Sequence, residues 1–199
     1  MSRDAETFSL PARVLHWLMA AMILAMLFIG VGMVSSVSER HTWLLALHKP
    51  LGAAILVLAV LRLIVRLWRK PPPLPADLPR SQAFAAKASH WLLYGLMFAL
   101  PLIGWAMLSA GGYPVMLSES LRLPSIAPFD AEWFATLRWL HRVLAYSLFG
   151  LILIHFAAAL YHGLIRRDGV LRSMVGKKVP AAEKNSAVID SQTSGRRRD

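Results

Sequence analysis

Seven histidines stand in a chain of 199 residues that contains no cysteine. Six of them, His16, His48, His90, His141, His155 and His162, lie in or at the ends of long apolar runs. An ionisable side chain inside such a run is costly to hold in a bilayer and is usually there for function. An interhelical hydrogen bond would explain any one of them. For the whole set, ligation of a metal is the more economical cause. The lack of cysteine removes disulfides, thiolate zinc sites, iron–sulfur clusters and covalently attached haem. Any redox metal must therefore be held by His or Met, or belong to a cofactor so held. His41, the seventh, falls in a loop and is expected at a solvated surface.

Spacing carries the chemistry further. His141 and His155 are fourteen residues apart. On a helix they point within about 40° of each other and lie ~21 Å apart along the axis. One helix can thus offer one axial ligand to each of two b-type haems stacked across a membrane. The same interval recurs: His16 precedes Gly30, His90 precedes Gly104 and His48 precedes Arg62. A glycine facing a flat macrocycle lets it approach the backbone, and Arg62 is a candidate partner for a haem propionate.

Depth sorts the partners. His48 and His141 each sit about one turn in from the outer ends of their runs and make a pair for an outer haem. His155 lies deeper and needs a partner near the inner ends of the first or third run, where His16 and His90 both qualify. His162, seven residues on from His155 and ~10 Å nearer the inner face, would set the two irons nearly a bilayer apart. Spacing therefore favours His155 and leaves His16 and His90 open. Met22, Met26, Met97 and Met107 could ligate iron, but with histidines in supply they read as packing residues.

Four elements must position these side chains. Four runs, at about 14–34, 44–65, 88–110 and 137–165, are long enough to cross ~30 Å of hydrocarbon, which takes ~20 helical residues. The sequence predicts an all-α membrane protein: a four-transmembrane-helix bundle within residues 1–175, then a polar tail at 176–199 expected to be disordered. Mean hydropathy of +0.50 and a 56% hydrophobic content agree with this class. The first run is too long for a signal peptide, and Arg13-Val14-Leu15-His16-Trp17 is an unusual approach to one.

Seventeen of the 22 Lys and Arg residues fall on one side: Arg3 and Arg13, six from Arg62 to Lys87, and nine from Arg166 to Arg198. The other side holds Arg40, Lys49, Arg122, Arg138 and Arg142. By the positive-inside rule both termini are cytoplasmic. The net charge of +11 is thus a matter of topology, and no soluble module carries it to nucleic acid. Pro71-Pro72-Pro73-Leu74-Pro75 reads as a short stiff spacer. The connection at 111–136, with Gly111, Gly112, Pro114, Pro124 and Pro128, and with Glu119, Asp130 and Glu132, could cap the outer end of the bundle. A histidine-based transporter is the remote alternative. None of the 11 Asp and Glu residues lies within a span, whereas ion pathways usually include intramembrane carboxylates. Pro101 offers only one ordinary kink.

The segments Arg13-Val14-Leu15-His16-Trp17, His48-Lys49-Pro50-Leu51-Gly52, Leu61-Arg62-Leu63-Ile64-Val65-Arg66, His90-Trp91-Leu92-Leu93-Tyr94, Leu100-Pro101-Leu102-Ile103-Gly104-Trp105, His141-Arg142 and His155-Phe156-Ala157-Ala158-Ala159-Leu160-Tyr161-His162 resemble, in order and spacing, the bacterial cytochrome b561 family. The resemblance runs from about residue 10 to 175. It implies a bundle in the bacterial inner membrane with two haem b groups, His16 and His155 on the inner iron and His48 and His141 on the outer. That choice resolves what spacing left open. His90 and His162 would be free to bind a quinone or relay its protons, or would make haem-edge or interhelix hydrogen bonds. Members closest to this pattern are oxidoreductases that take an electron from superoxide and deliver it to ubiquinone. Lys49 and Arg142 adjoin the outer ligands, and Arg138 adds a third cation. These could steer such an anion or neutralise propionates. The alternative is an electron-transfer subunit fed by a partner dehydrogenase, a hydrogenase or a periplasmic carrier docked on the outer loop.

Overall fold

The computed structural model describes residues 7–35, 37–74, 77–117 and 120–176. Arg3, Pro75, Glu119 and the tail from 177 lie outside the described residues. Four long helices make the body: α1 (Leu10–Val34), α2 (Glu39–Trp68), α3 (Arg80–Ala110) and α4 (Ala131–Leu160). Each is long and apolar enough to cross a membrane. α4 continues as a π-helical turn, Tyr161–Arg166, and a short helix α5 (Val170–Val175) follows. α1 packs mainly on α2, and α3 on α4, with α2 against α3 closing the bundle. The face where α1 begins and α2 and α4 end is called the terminal face below.

The packed centre is slender. Met19 and Ile23 from α1 meet Ile55 and Ala59 from α2, Tyr94, Met97 and Leu100 from α3, and Leu148 from α4. Large apolar side chains instead point outward: Phe28 is 77% exposed, Trp43 62% and Phe156 60%. In water such a surface would aggregate; in lipid it is the solvated face, and the helices satisfy their own backbone polar groups. Pro50 and Pro101 lie inside α2 and α3, each removing one backbone hydrogen bond, a loss that neighbouring groups make good in membrane helices.

All four helices begin before their predicted spans, whereas α1 and α3 end where predicted, at Val34 and Ala110. α3 starts at Arg80 rather than near 88, and α4 at Ala131 rather than near 137. Hydropathy marks where a helix contacts hydrocarbon, whereas capping marks where it begins. Asp130 caps α4 by accepting a hydrogen bond from the Trp133 amide at 2.8 Å, satisfying one of its unpaired donors.

The 111–130 connection folds back over the end of α3. Strands β1 (Val115–Met116) and β2 (Arg122–Leu123) pair antiparallel. Trp105 Nε1 donates to the Pro124 carbonyl at 2.8 Å, and the Ile126 amide donates to Ser109 Oγ at 3.2 Å. At the terminal face α5 turns back onto α1, where Trp17 Nε1 donates to the Met174 carbonyl at 3.2 Å. Gly176, at φ +85°, faces the Arg13 guanidinium so closely that no Cβ would fit between them.

Candidate functional site

α4 sets the levels of the site. Its two histidines, fourteen residues apart, each meet a histidine from another helix. His141 faces His48 of α2 with ring centroids 6.2 Å apart and planes crossed at 66°. His155 faces His16 of α1 at 6.3 Å and 70°. The same interval separates the α3 residues beside them: His90 touches His155, and Gly104 lies against the His141 ring. Two levels ~21 Å apart along the bundle result.

The spacings have a chemical meaning. Imidazole nitrogens bond a metal at about 2.0 Å, so two rings opposed across one ion have centroids about 6.3 Å apart. Both pairs meet that distance. No group of three or more His, Cys, Asp or Glu side chains among the described residues is placed to chelate an ion. A metal held between two imidazoles here must bring its other donors with it, as the iron of a haem does. His48 Nδ1 and His141 Nδ1 are buried with no partner in hydrogen-bond geometry among the described residues, although the Leu100 carbonyl lies near the His141 ring. Unpartnered buried nitrogens cost about 1–3 kcal/mol each, and a binding or redox role is a recognised reason for such groups. Gly104 lies against the same ring: a Cβ there would make an ordinary contact, 3.4 Å from His141 Cε1, and only a larger side chain would press on it. Gly30, by contrast, meets nothing within 4 Å.

At the other level three histidines converge. His90 is 5.5 Å from His155, shorter than opposed ligands on a shared ion require. Its Nδ1 donates to the Ala86 carbonyl at 2.6 Å; a carbonyl only accepts, so Nδ1 carries the proton and Nε2 keeps its lone pair. Arg62 lies in electrostatic range of His16, His90 and His155. It also donates from Nε to Tyr94 Oη at 3.2 Å, and Arg66 lies 5.7 Å from the centre of the same ring.

His162 is not drawn into this cluster. Its Nδ1 lies 2.5 Å from Asp168 Oδ2, an oxygen that also accepts from Arg166 Nε at 3.2 Å. Arg166 in turn reaches Asp77 Oδ2 at 2.8 Å, tying the end of α4 to the segment before α3. At the opposite level Lys49 is half-buried, Arg138 and Arg142 are exposed, and none of the three forms an ion pair with a described residue. His41, expected at a solvated surface, is partly buried: its Nδ1 donates to the Met33 carbonyl at 3.0 Å, joining α1 to α2.

Two residues with roles at the site were not singled out from sequence. Tyr94 is 6% exposed, and a buried tyrosine needs a partner for its hydroxyl; its place mid-run, near two arginines on the antiparallel neighbour, was the signal. Asp168 was the first carboxylate after the last span, one and a half turns past His162.

Residues 7–177 match the family model described as prokaryotic cytochrome b561. Cytochrome b561 homolog 2 of Escherichia coli (strain K12) is 31% identical over 179 residues, covering 86% of this chain and 93% of the relative. The probable superoxide oxidase CybB of Yersinia pestis is 33% identical over 137 residues, covering 68% and 77%. Cytochrome b561 homolog 1 of Escherichia coli (strain K12) is 27% identical over 172 residues, covering 82% and 94%.

Proposed function

This chain belongs to the prokaryotic cytochrome b561 family, and we propose that it oxidises superoxide at one membrane face and reduces ubiquinone at the other. Membership makes it a multi-pass electron-transfer protein of the bacterial inner membrane and implies haem b. The finer activity draws on a relative named as a probable superoxide oxidase. The observation that carries the proposal is the pair of histidine pairs, at 6.2 Å and 6.3 Å, on two levels of one helix. His48 and His141 would hold one haem and His16 and His155 a second. When bound, the haems supply one-electron redox chemistry.

The reaction balances without a further reagent. Two superoxide anions become two dioxygen molecules, and one ubiquinone takes the two electrons with two protons to become ubiquinol. Superoxide oxidation breaks no bond and needs no acid or base. The task of the outer level, which the positive-inside count places in the periplasm, is attraction. Lys49, Arg138 and Arg142 present cations there that pair with no described carboxylate and would draw a small anion. The proton-handling candidates lie towards the terminal face. His90 offers an Nε2 lone pair beside His155, and Asp168 orients His162 through its Nδ1.

The test is the rate at which superoxide reduces the haems of the purified protein. The Lys49→Gln/Arg142→Gln variant should keep its full haem content and be reduced about tenfold more slowly at low salt, the gap narrowing as salt screens the wild type. An unchanged rate would remove the steering role; no reduction of the wild type by superoxide would remove the activity.

Gly104 gives a second expectation. Gly104→Leu should push into the His141 ring and lower haem content by about half, while Gly104→Ala, whose Cβ makes an ordinary contact, should lose little. Haem per chain by pyridine haemochrome decides it. Full haem in the leucine variant would show that the glycine is incidental.

A further inference from the structure

The terminal face carries a cleft that runs from Arg62 and Tyr94, at the level of His16 and His155, out to Arg69 and Lys70. It is shallow, enclosing only about 30 Å³, and opens at the surface between the start of α1, the end of α2 and α5. One wall is cationic, with Arg66, Arg69 and Lys70; another is apolar, with Phe8, Ala12 and Met174. No described carboxylate pairs with these cations, because the ion pairs of this face are those of Asp77 and Asp168 with Arg166 and His162. Ser9 Oγ, which lines the cleft, and Arg13 Nε, one turn on, are buried with no hydrogen-bond partner among the described residues. Arg62, at the cleft's inner end, donates its Nε to Tyr94 Oη.

Depth limits what the cleft can meet. Trp68, 84% exposed, ends α2 beside Arg69, and Trp17 donates to the Met174 carbonyl on the α1 side. Tryptophans concentrate where hydrocarbon gives way to headgroups. The cleft therefore lies at headgroup level, next to helix faces that are apolar and outward. A ligand matching both walls carries an anion at one end and hydrocarbon at the other.

We propose that this cleft binds the phosphodiester headgroup of an anionic phospholipid, whose acyl chains run along the outward face of the bundle. Basic pockets between membrane helices take such headgroups. Phosphate oxygens accept from Arg66, Arg69 and Lys70 together, and Ser9 Oγ gains the partner it lacks. The bound lipid joins α1, α2 and α5 next to the level of His16 and His155 and stiffens that end of the bundle.

The haem-loaded protein in neutral detergent is titrated with phosphatidylglycerol, phosphatidylcholine and inorganic phosphate. Bound lipid is read by native mass spectrometry and stabilisation by thermal unfolding. The site variant is Arg69→Gln/Lys70→Gln, both residues exposed. The control is Arg80→Gln/Lys87→Gln, which makes the same charge change on the same face outside the cleft. Phosphatidylglycerol should bind and stabilise the wild type and the control, with affinity about 30-fold weaker in the site variant. Phosphatidylcholine and phosphate should do neither. Equal binding by site variant and wild type, or equal loss in both variants, would overturn the proposal. Competition by inorganic phosphate alone would make the cleft a free-anion site instead. Loss of haem from the site variant with lipid binding intact would assign the cations to haem carboxylates. Haem content and superoxide-driven reduction of the wild type are read separately, so failure here leaves the electron-transfer proposal standing.

Discussion

Replacing His141 with alanine is expected to remove one of two haems and leave the other in place. His141 and His48 face each other at 6.2 Å, and among the described residues no other histidine ring stacks on this pair. The ring is half-buried and packs beside Gly104 rather than in the central apolar cluster, so its loss should spare the bundle. Haem per chain by pyridine haemochrome should fall by about half, and one component should vanish from the reduced-minus-oxidised spectrum. His48→Ala should give the same result. The double variant is the sharper measurement: two residues serving one ligand act as a unit, so their effects should not add. A double variant that loses both haems, or a single variant that keeps both, would mean the two rings do not share an iron.

The fourteen-residue interval from His141 to His155 was legible before any coordinate, because helical periodicity converts it directly into one face and two levels. The same holds for the four membrane helices, since runs of apolar residues long enough to span hydrocarbon have few other fates. What periodicity could not supply was which helix stands across from which. His16 and His90 have equal claims by depth alone. They are separated only by resemblance to a family and by centroid distances of 6.3 Å and 5.5 Å to His155. Helix starts were misplaced for a related reason: the polar first turn of α3, Arg80-Ser81-Gln82, is helical without being hydrophobic, and α4 begins where Asp130 caps it rather than where its long apolar run begins. The pairing of Asp168 with His162 was also out of reach. It depends on a π-helical turn and on the left-handed backbone at Arg167 (φ 52°) and Gly169 (φ 82°), and no apolar pattern encodes either.

The pairing of charges across the terminal face separates two populations of cations. Arg166 is held by Asp77 and Asp168 and serves to fasten the end of α4. Arg62 is held by a neutral hydroxyl and stays available to a negative group at the level of His16 and His155. A count of basic residues treats these alike, so it bears on topology and says nothing of roles.

His16→Ala and His90→Ala should therefore diverge, although the two residues sit at one depth and each lies beside His155. Loss of His16 takes away the ring at ligand distance and should empty the inner haem site, halving haem content and stopping delivery of electrons to ubiquinone. Loss of His90 should leave haem content unchanged, because a centroid distance of 5.5 Å is too short for opposition across an iron. With its Nδ1 proton committed to Ala86, His90 has one lone pair to offer a proton on its way to reduced quinone. Removing a positioned proton donor costs on the order of 100-fold in such transfers. Steady-state ubiquinone reduction by the His90→Ala protein should fall by about that factor while superoxide still reduces its haems at the wild-type rate. The reverse pattern, with haem lost from the His90 variant and kept in the His16 variant, would exchange the two assignments. Unchanged quinone reduction in the His90 variant would leave that histidine a packing role and turn attention to His162 and Asp168 for the protons.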